Sequence, residues 1–292
     1  MINLGISGKY DFILNEGTDK ERVYEDVGNA ILDNFLVRLQ TYSWGGNSFN
    51  NVGKYMRIGG STTPVSYSQV ALVNPLSSKI IQTADNVYIP VTTNGTTWTC
   101  GMTVVAKYNI GEFVGTINEV GMGLSTDASL GGLIHTRAVL SAPLVIAAED
   151  QLTVKYTMTI SCFDLDAQSQ IVLKGVTHNI LARRVASPAT LFARLVEQND
   201  YMNVYMNNPT FGATGTAVSG GVTFNKSGVG LNGLGVGQRR VKLSLATTEA
   251  NHAAGISCIT WNEVYKFQFT PPILKTESSK LDLTFGYTFS RA

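Results

Sequence analysis

From Asp19 the chain reads DKERVYEDVGNAILDNFLVRLQ, with Val23, Val27, Ala30, Ile31, Phe35 and Leu39 apolar and polar residues between them. Apolar positions three and four apart, acids in the first turns and Arg38 in the last predict an amphipathic helix over 19–40. Asn34 interrupts the stripe and Gly28 weakens the helix by about 1 kcal/mol relative to Ala. Beyond a turn-rich loop, TYSWGGNSFNN, the pattern changes period. KYMRIGG, NVYIPVTTN, TTWTCGMTVVAKYN, LIHTRAVLS, DQLTVKYTMTIS, IVLKGVTHNI, NVYMN, RRVKLSLATT, VYKFQFT and KLDLTFGYTFS carry β-branched and aromatic residues, many in strict alternation. Gly, Asn, Asp and Pro separate them. Many short strands at such intervals predict antiparallel sandwiches or barrels. One further short helix is expected near 187–199, with Ser187 as N-cap and Pro188 at the first position.

The two ends of this pattern echo each other. PLVIAAEDQLTVKYTMTIS from Pro143 and PILKTESSKLDLTFGYTFS from Pro272 align at an offset of 129 residues, bringing Leu152 onto Leu281 and Tyr156 onto Phe285. VAKYNIGEFVGTINEVGMG and LSLATTEANHAAGISCI correspond more loosely, through Glu112 and Glu249. A duplicated β unit accounts for both matches; the general sameness of strand-turn-strand text is the alternative. The expectation is a mainly β chain of two antiparallel β-sandwich-like modules, residues 1–162 with the N-terminal helix and 163–292 with the second helix as an insertion.

Composition narrows the function classes. The 292 residues are 44% hydrophobic, enough for a core, but only 15% are charged, against about 25% in an average soluble protein. With 22 basic and 21 acidic side chains the net charge is +1, so no overall field steers the chain to nucleic acid or an anionic membrane. The first residues, MINLGISGKYDF, lack the charge and apolar run of a signal peptide, and the long uncharged stretches are broken by Asn, Gly, Thr and Pro.

Candidate chemistry is sparse. Cys100, Cys162 and Cys258 are far apart with no C-x-x-C, and read as buried small hydrophobes; His135, His178 and His252 are equally scattered, so neither metal nor cofactor is expected. GVGLNG, residues 228–233, spells G-x-G-x-x-G, but QRRVKLSLATT leaves it as a strand, whereas a dinucleotide site needs a helix there. The run reads as a glycine connection between strands. G-x-S-x-G, H-E-x-x-H and G-x-x-x-x-G-K-[ST] do not occur. The close acidic pairs a glycosidase would need are Glu112 with Glu119 and Asp164 with Asp166. Glu119 is expected in a turn and the Asp pair in a solvated connector, so no catalytic residue is assigned. Two basic doublets, Arg183 with Arg184 and Arg239 with Arg240, lack interleaved aromatics and are read as solvated surface.

RIGGSTTPVSYSQVALVNPL from Arg57, GEFVGTINEVGMG from Gly111, and GGLIHTRAVLSAPLVIAAEDQLTVKYTMTI resemble a pattern recurrent in tailed-bacteriophage virion structural proteins of the tail, neck or collar. Ile58, Gly59, Thr63, Pro64, Leu72, Pro75, Glu112, Gly115, Glu119, Gly121, Arg137, Ala138 and Pro143 carry it, over roughly residues 20–160. Ser61 stands where the pattern has a second glycine. The resemblance implies a non-enzymatic particle subunit, made in the bacterial host cytoplasm and incorporated into the virion. Its partners would be copies of itself and other virion proteins, with no specific nucleic acid, membrane or small-molecule substrate. The alternative is a receptor-binding or adhesin-like tail module for a host surface glycan, with Tyr42, Trp44 and Phe49 as a stacking platform. Those three aromatics equally suit a cap over the core.

Overall fold

The computed structural model describes residues 2–41, 53–81, 85–94, 97–123, 129–163, 167–185, 201–213, 215–231, 235–261 and 264–292. The first half contains β1 (Ile2–Leu14), β2 (Arg22–Gly28), β3 (Ala30–Ile31), α1 (Asp33–Thr41), β4 (Tyr55–Gly59), β5 (Pro75–Ile80), β6 (Val87–Asn94), β7 (Thr97–Tyr108), β8 (Gly115–Gly123), β9 (Ile134–Ile146) and β10 (Leu152–Phe163). The second contains β11 (Ala167–Leu173), β12 (Val176–Arg184), β13 (Tyr201–Met206), β14 (Val222–Ser227), β15 (Val229–Leu231), β16 (Gln238–Leu245), β17 (Ile256–Trp261), β18 (Tyr265–Ile273) and β19 (Leu281–Arg291). They form an eight-stranded sheet ordered β15-β16-β19-β1-β10-β7-β6 with β2 added to β1, a six-stranded sheet β11-β12-β18-β17-β13-β14, and a five-stranded sheet β3-β9-β8-β4-β5.

The two halves repeat one topology. The orders β10-β7-β6 and β3-β9-β8-β4-β5 reappear as β19-β16-β15 and β12-β18-β17-β13-β14. The register repeats as well: Leu152 opposite Tyr108 and Tyr156 opposite Val104 match Leu281 opposite Leu245 and Phe285 opposite Val241. A bulge between Ile117 and Glu119 recurs between Ile256 and Cys258. Even the turns agree. Glu112 caps the turn after β7 by accepting from the Asn109 N–H at 2.8 Å while its other oxygen binds Lys79. Glu249 caps the turn after β16 by accepting from the Ala246 N–H at 2.8 Å and from Lys226 at 2.6 Å. The loose sequence match through these two glutamates is therefore a geometric one.

Strand β1 joins the halves. It is antiparallel to β10 over residues 4–14 and parallel to β19 over residues 2–6. Its Leu4, Ile6, Tyr10 and Phe12 are buried at alternate positions, as period-2 burial requires, and Ile13 and Leu14 are both buried at its end. Across to the five-stranded sheet, the Tyr10 hydroxyl meets Thr136 Oγ1 at 2.5 Å and Tyr108 Oη donates to the Met56 carbonyl at 3.4 Å. Across to the six-stranded sheet, Trp261 stacks on Tyr287 and Phe267 meets Phe285, both at 4.7 Å between centroids. One apolar cluster runs through all three sheets.

Two expectations are corrected. The helix predicted over 19–40 is helical only from Asp33; residues 22–28 form β2, and Val23 is exposed instead of buried. The open edge of β1 offers 22–24 and 27–28 ladder partners on either side of a bulge, which a helix interrupted by Gly28 does not match. Asp33 and Arg38 then place charges of favourable sign at the ends of the short helix. IVLKGVTHNI, read as one strand, is a hairpin whose turn residues Lys174 and Gly175 have φ of 48° and 77°. The helix expected near 187–199 lies outside the described residues. The boundary expected near 162 falls at the end of β10, and β19 returns across it to pair with β1.

Candidate functional site

The motif residues of the first half converge on one buried ion pair. Arg137 of β9 and Glu119 of β8 are both fully buried, with Arg137 Nε donating to Glu119 Oε2 at 2.8 Å. The remaining guanidinium donors reach the Thr63 carbonyl at 2.9 Å and Gln69 Oε1 at 3.1 Å. Glu119 also accepts the N–H groups of Asn74 at 2.7 Å and Val73 at 3.2 Å. The pair thus holds both ends of the loop 60–74. Gly59 is required beneath it, because a Cβ there would lie 2.6 Å from both Glu119 Oε1 and the Asn74 carbonyl. Charge-assisted bonds of this kind satisfy a carboxylate that burial would otherwise make costly. A carboxylate so enclosed is not placed to attack or protonate a substrate.

The loop so held turns apolar side chains outward. Tyr67 is 52% exposed, Val70 and Val73 are each half exposed, and Leu76 and Ile80 continue the strip along the edge strand β5. Arg291, from the last strand, lies over the Tyr67 ring at 3.9 Å and donates to the Ile31 carbonyl at 2.7 Å. The last strand therefore braces this surface.

The second half holds its equivalent loop with a lysine. Lys266 sits opposite Thr260 as Arg137 sits opposite Gly121. Its buried ammonium donates to the carbonyls of Phe211 (2.5 Å), Ala213 (2.8 Å), Thr216 (2.9 Å) and Gly212 (3.1 Å), with the Phe211 ring 4.7 Å away. Arg183 adds a bond to the Gly212 carbonyl at 3.0 Å.

The residues singled out from sequence are dispersed. Tyr42, Trp44, Phe49, Asp164 and Asp166 lie outside the described residues. Glu112 and Glu119 have separate partners: Glu119 is enclosed with Arg137 and lies in β8, not in a turn, whereas Glu112 caps the turn after β7, where Lys79 and the Asn109 N–H hold its carboxyl below the usual range. The basic doublets are not solvated surface. Arg184 is buried with its guanidinium 5.6 Å from the Trp98 ring, and Arg239 is buried, because alternation in β12 and β16 turns one member of each doublet inward. Cys100 and Cys258 are buried free thiols whose pKa burial pushes up to about 12. Residues 229–231 of the glycine run form β15 itself, paired antiparallel with β16, and it is a strand that follows the run. Gly237, at φ 78°, would bring a Cβ within 2.2 Å of the Phe289 carbonyl.

The role of Lys266 was not read from the sequence, although the 129-residue offset maps it onto Arg137. Comparisons with family models, with curated proteins and with solved structures found no match to the chain.

Proposed function

We propose that this chain is a non-enzymatic structural subunit of a tailed-phage particle, of the tail, neck or collar, assembling with copies of itself and other virion proteins as a ring or sleeve. Residues 1–162 and 163–292 serve as two β-sandwich-like modules welded by β1. The observation that carries the reading is the use made of buried charge. Glu119, Arg137 and Lys266 are spent on fixing loops, and the first of these loops presents Tyr67, Val70 and Val73 to solvent. Preorganised apolar surface of this kind suits contact with a neighbour, since ordering is complete before association. The phage-like motif supports the same reading, because Gly59, Thr63, Glu119 and Arg137 of that motif build the lock.

Negative-stain microscopy of the purified chain at rising concentration tests this. Closed rings or stacked sleeves are expected, and Val70→Glu, a change at an exposed position, disperses them without lowering the melting temperature. Isolated particles at every concentration, or rings indifferent to that substitution, contradict it.

A further inference from the structure

The duplication exposes a vacancy. In the first half β10 is covered along its length by β1, and Leu152, Val154 and Tyr156 are fully buried. Their counterparts Leu281, Leu283 and Phe285 lie in the part of β19 that β1 does not reach, since the parallel ladder begins at Tyr287. Among the described residues no strand pairs with 281–286 on that side. Phe289 N–H points to the Gly237 carbonyl on the β16 side, so by alternation the N–H and C=O groups of Asp282 and Thr284 and the N–H of Gly286 point to the open side. Beneath this edge a cavity of about 590 Å³ separates β19 from the six-stranded sheet, lined by Ile171, Ile180, Phe267, Phe269, Leu283 and Phe285. An open edge over an apolar trough is the geometry of strand addition.

The same chain carries a strand with the opposite deficit. β2 is an edge strand paired only with β1, and Tyr24, opposite the buried Phe12 and so on the inner face, is 41% exposed. β10 takes one side of β1, so β2 and β19 share the other; the free edge of β2 and the open edge of β19 therefore face opposite ways. Copies placed head to tail bring these edges together. β2 is antiparallel to β1 and β1 is parallel to β19, so a copy shifted along the strands presents β2 antiparallel to β19. The charges agree: β2 carries exposed Glu25, and Lys174 and Lys280 border the adjoining cavity that shares Leu173 and Asp282.

We propose that residues 281–286 and the trough under β11 form an acceptor site for β2 of a second copy of this chain. Tyr24 enters the trough, and the backbone of β2 satisfies Asp282, Thr284 and Gly286. The contact is heterologous, so repetition closes a ring or extends a filament. It rests on sheet geometry and does not require that the particle be a phage.

The test uses a synthetic peptide of residues 21–29 and the full chain. The peptide is expected to bind one per chain, to protect the amides of Asp282, Thr284 and Gly286 from hydrogen exchange, and to bind Thr284→Pro more weakly by about tenfold or more. Proline at 284 removes a donor aimed away from β16, so the β16 ladder is kept. Val172→Lys, at an exposed position lining the trough, is expected to weaken binding equally and serves if Thr284→Pro does not fold. Absence of binding at millimolar peptide, equal binding by both variants, or tighter binding of a peptide of β1 sequence overturns the proposal. Assembly that persists without peptide binding overturns this site and leaves the subunit reading standing.

Discussion

Arg137 and Lys266 occupy one position of a duplicated strand pair, opposite Gly121 and opposite Thr260, and each buries a positive charge to hold the loop that crosses that end of its half. Arg137 meets the Glu119 carboxylate, and Lys266 donates to four carbonyls within hydrogen-bond distance.

Removing one partner of the first lock should be severe. Arg137→Met leaves Glu119 charged and enclosed, and a loss of about 3–5 kcal/mol is expected from urea unfolding. The double change Arg137→Met with Glu119→Leu should cost less than the single one, because no buried charge remains. A double variant less stable than Arg137→Met would contradict the assignment.

For Lys266→Met the damage should stay local. Several buried carbonyls lose their donor, and a cost of about 3 kcal/mol is expected. Hydrogen exchange should rise in 211–216 and remain unchanged in 60–74. Uniform loosening of both loops would show that the halves do not hold their loops independently.

His135 sets an acid limit. Burial first, then the charges of Arg38 and Arg57, lower its pKa to about 3, and neither ring nitrogen has a hydrogen-bond partner among the described residues. An unfolded histidine takes its proton near 6.5, so between these values the unfolded chain binds more protons. The stability tied to neutral His135 is complete above that range and falls with pH, by about 2 kcal/mol from pH 6.5 to 5. Glu112, Glu249 and Asp150, whose values their partners lower, contribute at more acid pH. Unfolding free energies at pH 7 and pH 5 should converge in His135→Phe; an unchanged slope would contradict the account.

Truncation tests the division of the chain. A fragment ending at Phe163 keeps β1 against β10 and the five-stranded sheet, and should unfold cooperatively. A fragment starting at Asp164 loses β1, the partner of β19 from Tyr287 on, and should be molten or insoluble. The reverse outcome would move the boundary.

The strands were legible wherever alternation was dense. RRVKLSLATT and KLDLTFGYTFS read as strands because Val241, Leu243 and Leu245, and Leu283, Phe285, Tyr287 and Phe289, repeat at every second position. β1 was missed although Leu4, Ile6, Tyr10, Phe12 and Leu14 alternate, because Gly5 and Gly8 dilute the signal. Those glycines are needed: a Cβ on Gly8 would lie 2.3 Å from Tyr156 Oη, and one on Gly5 2.6 Å from Ser161 Oγ. The helix was overextended because Val23, Val27 and Ile31 fall at helical spacing while their segment had a ladder partner that only the fold supplies. The lock was half legible. Its residues were all in the quoted motif, but the pairing of Glu119 with Arg137 depends on the register of β8 on β9, which composition does not encode.

The most direct test of the central claim is the mass of the native protein by light scattering across a wide range of concentration. A defined closed multiple of the 31.5 kDa chain, or a sharp passage from monomer to such a multiple, is what an assembling subunit predicts. A 31.5 kDa particle that persists to the highest concentration reached would contradict it.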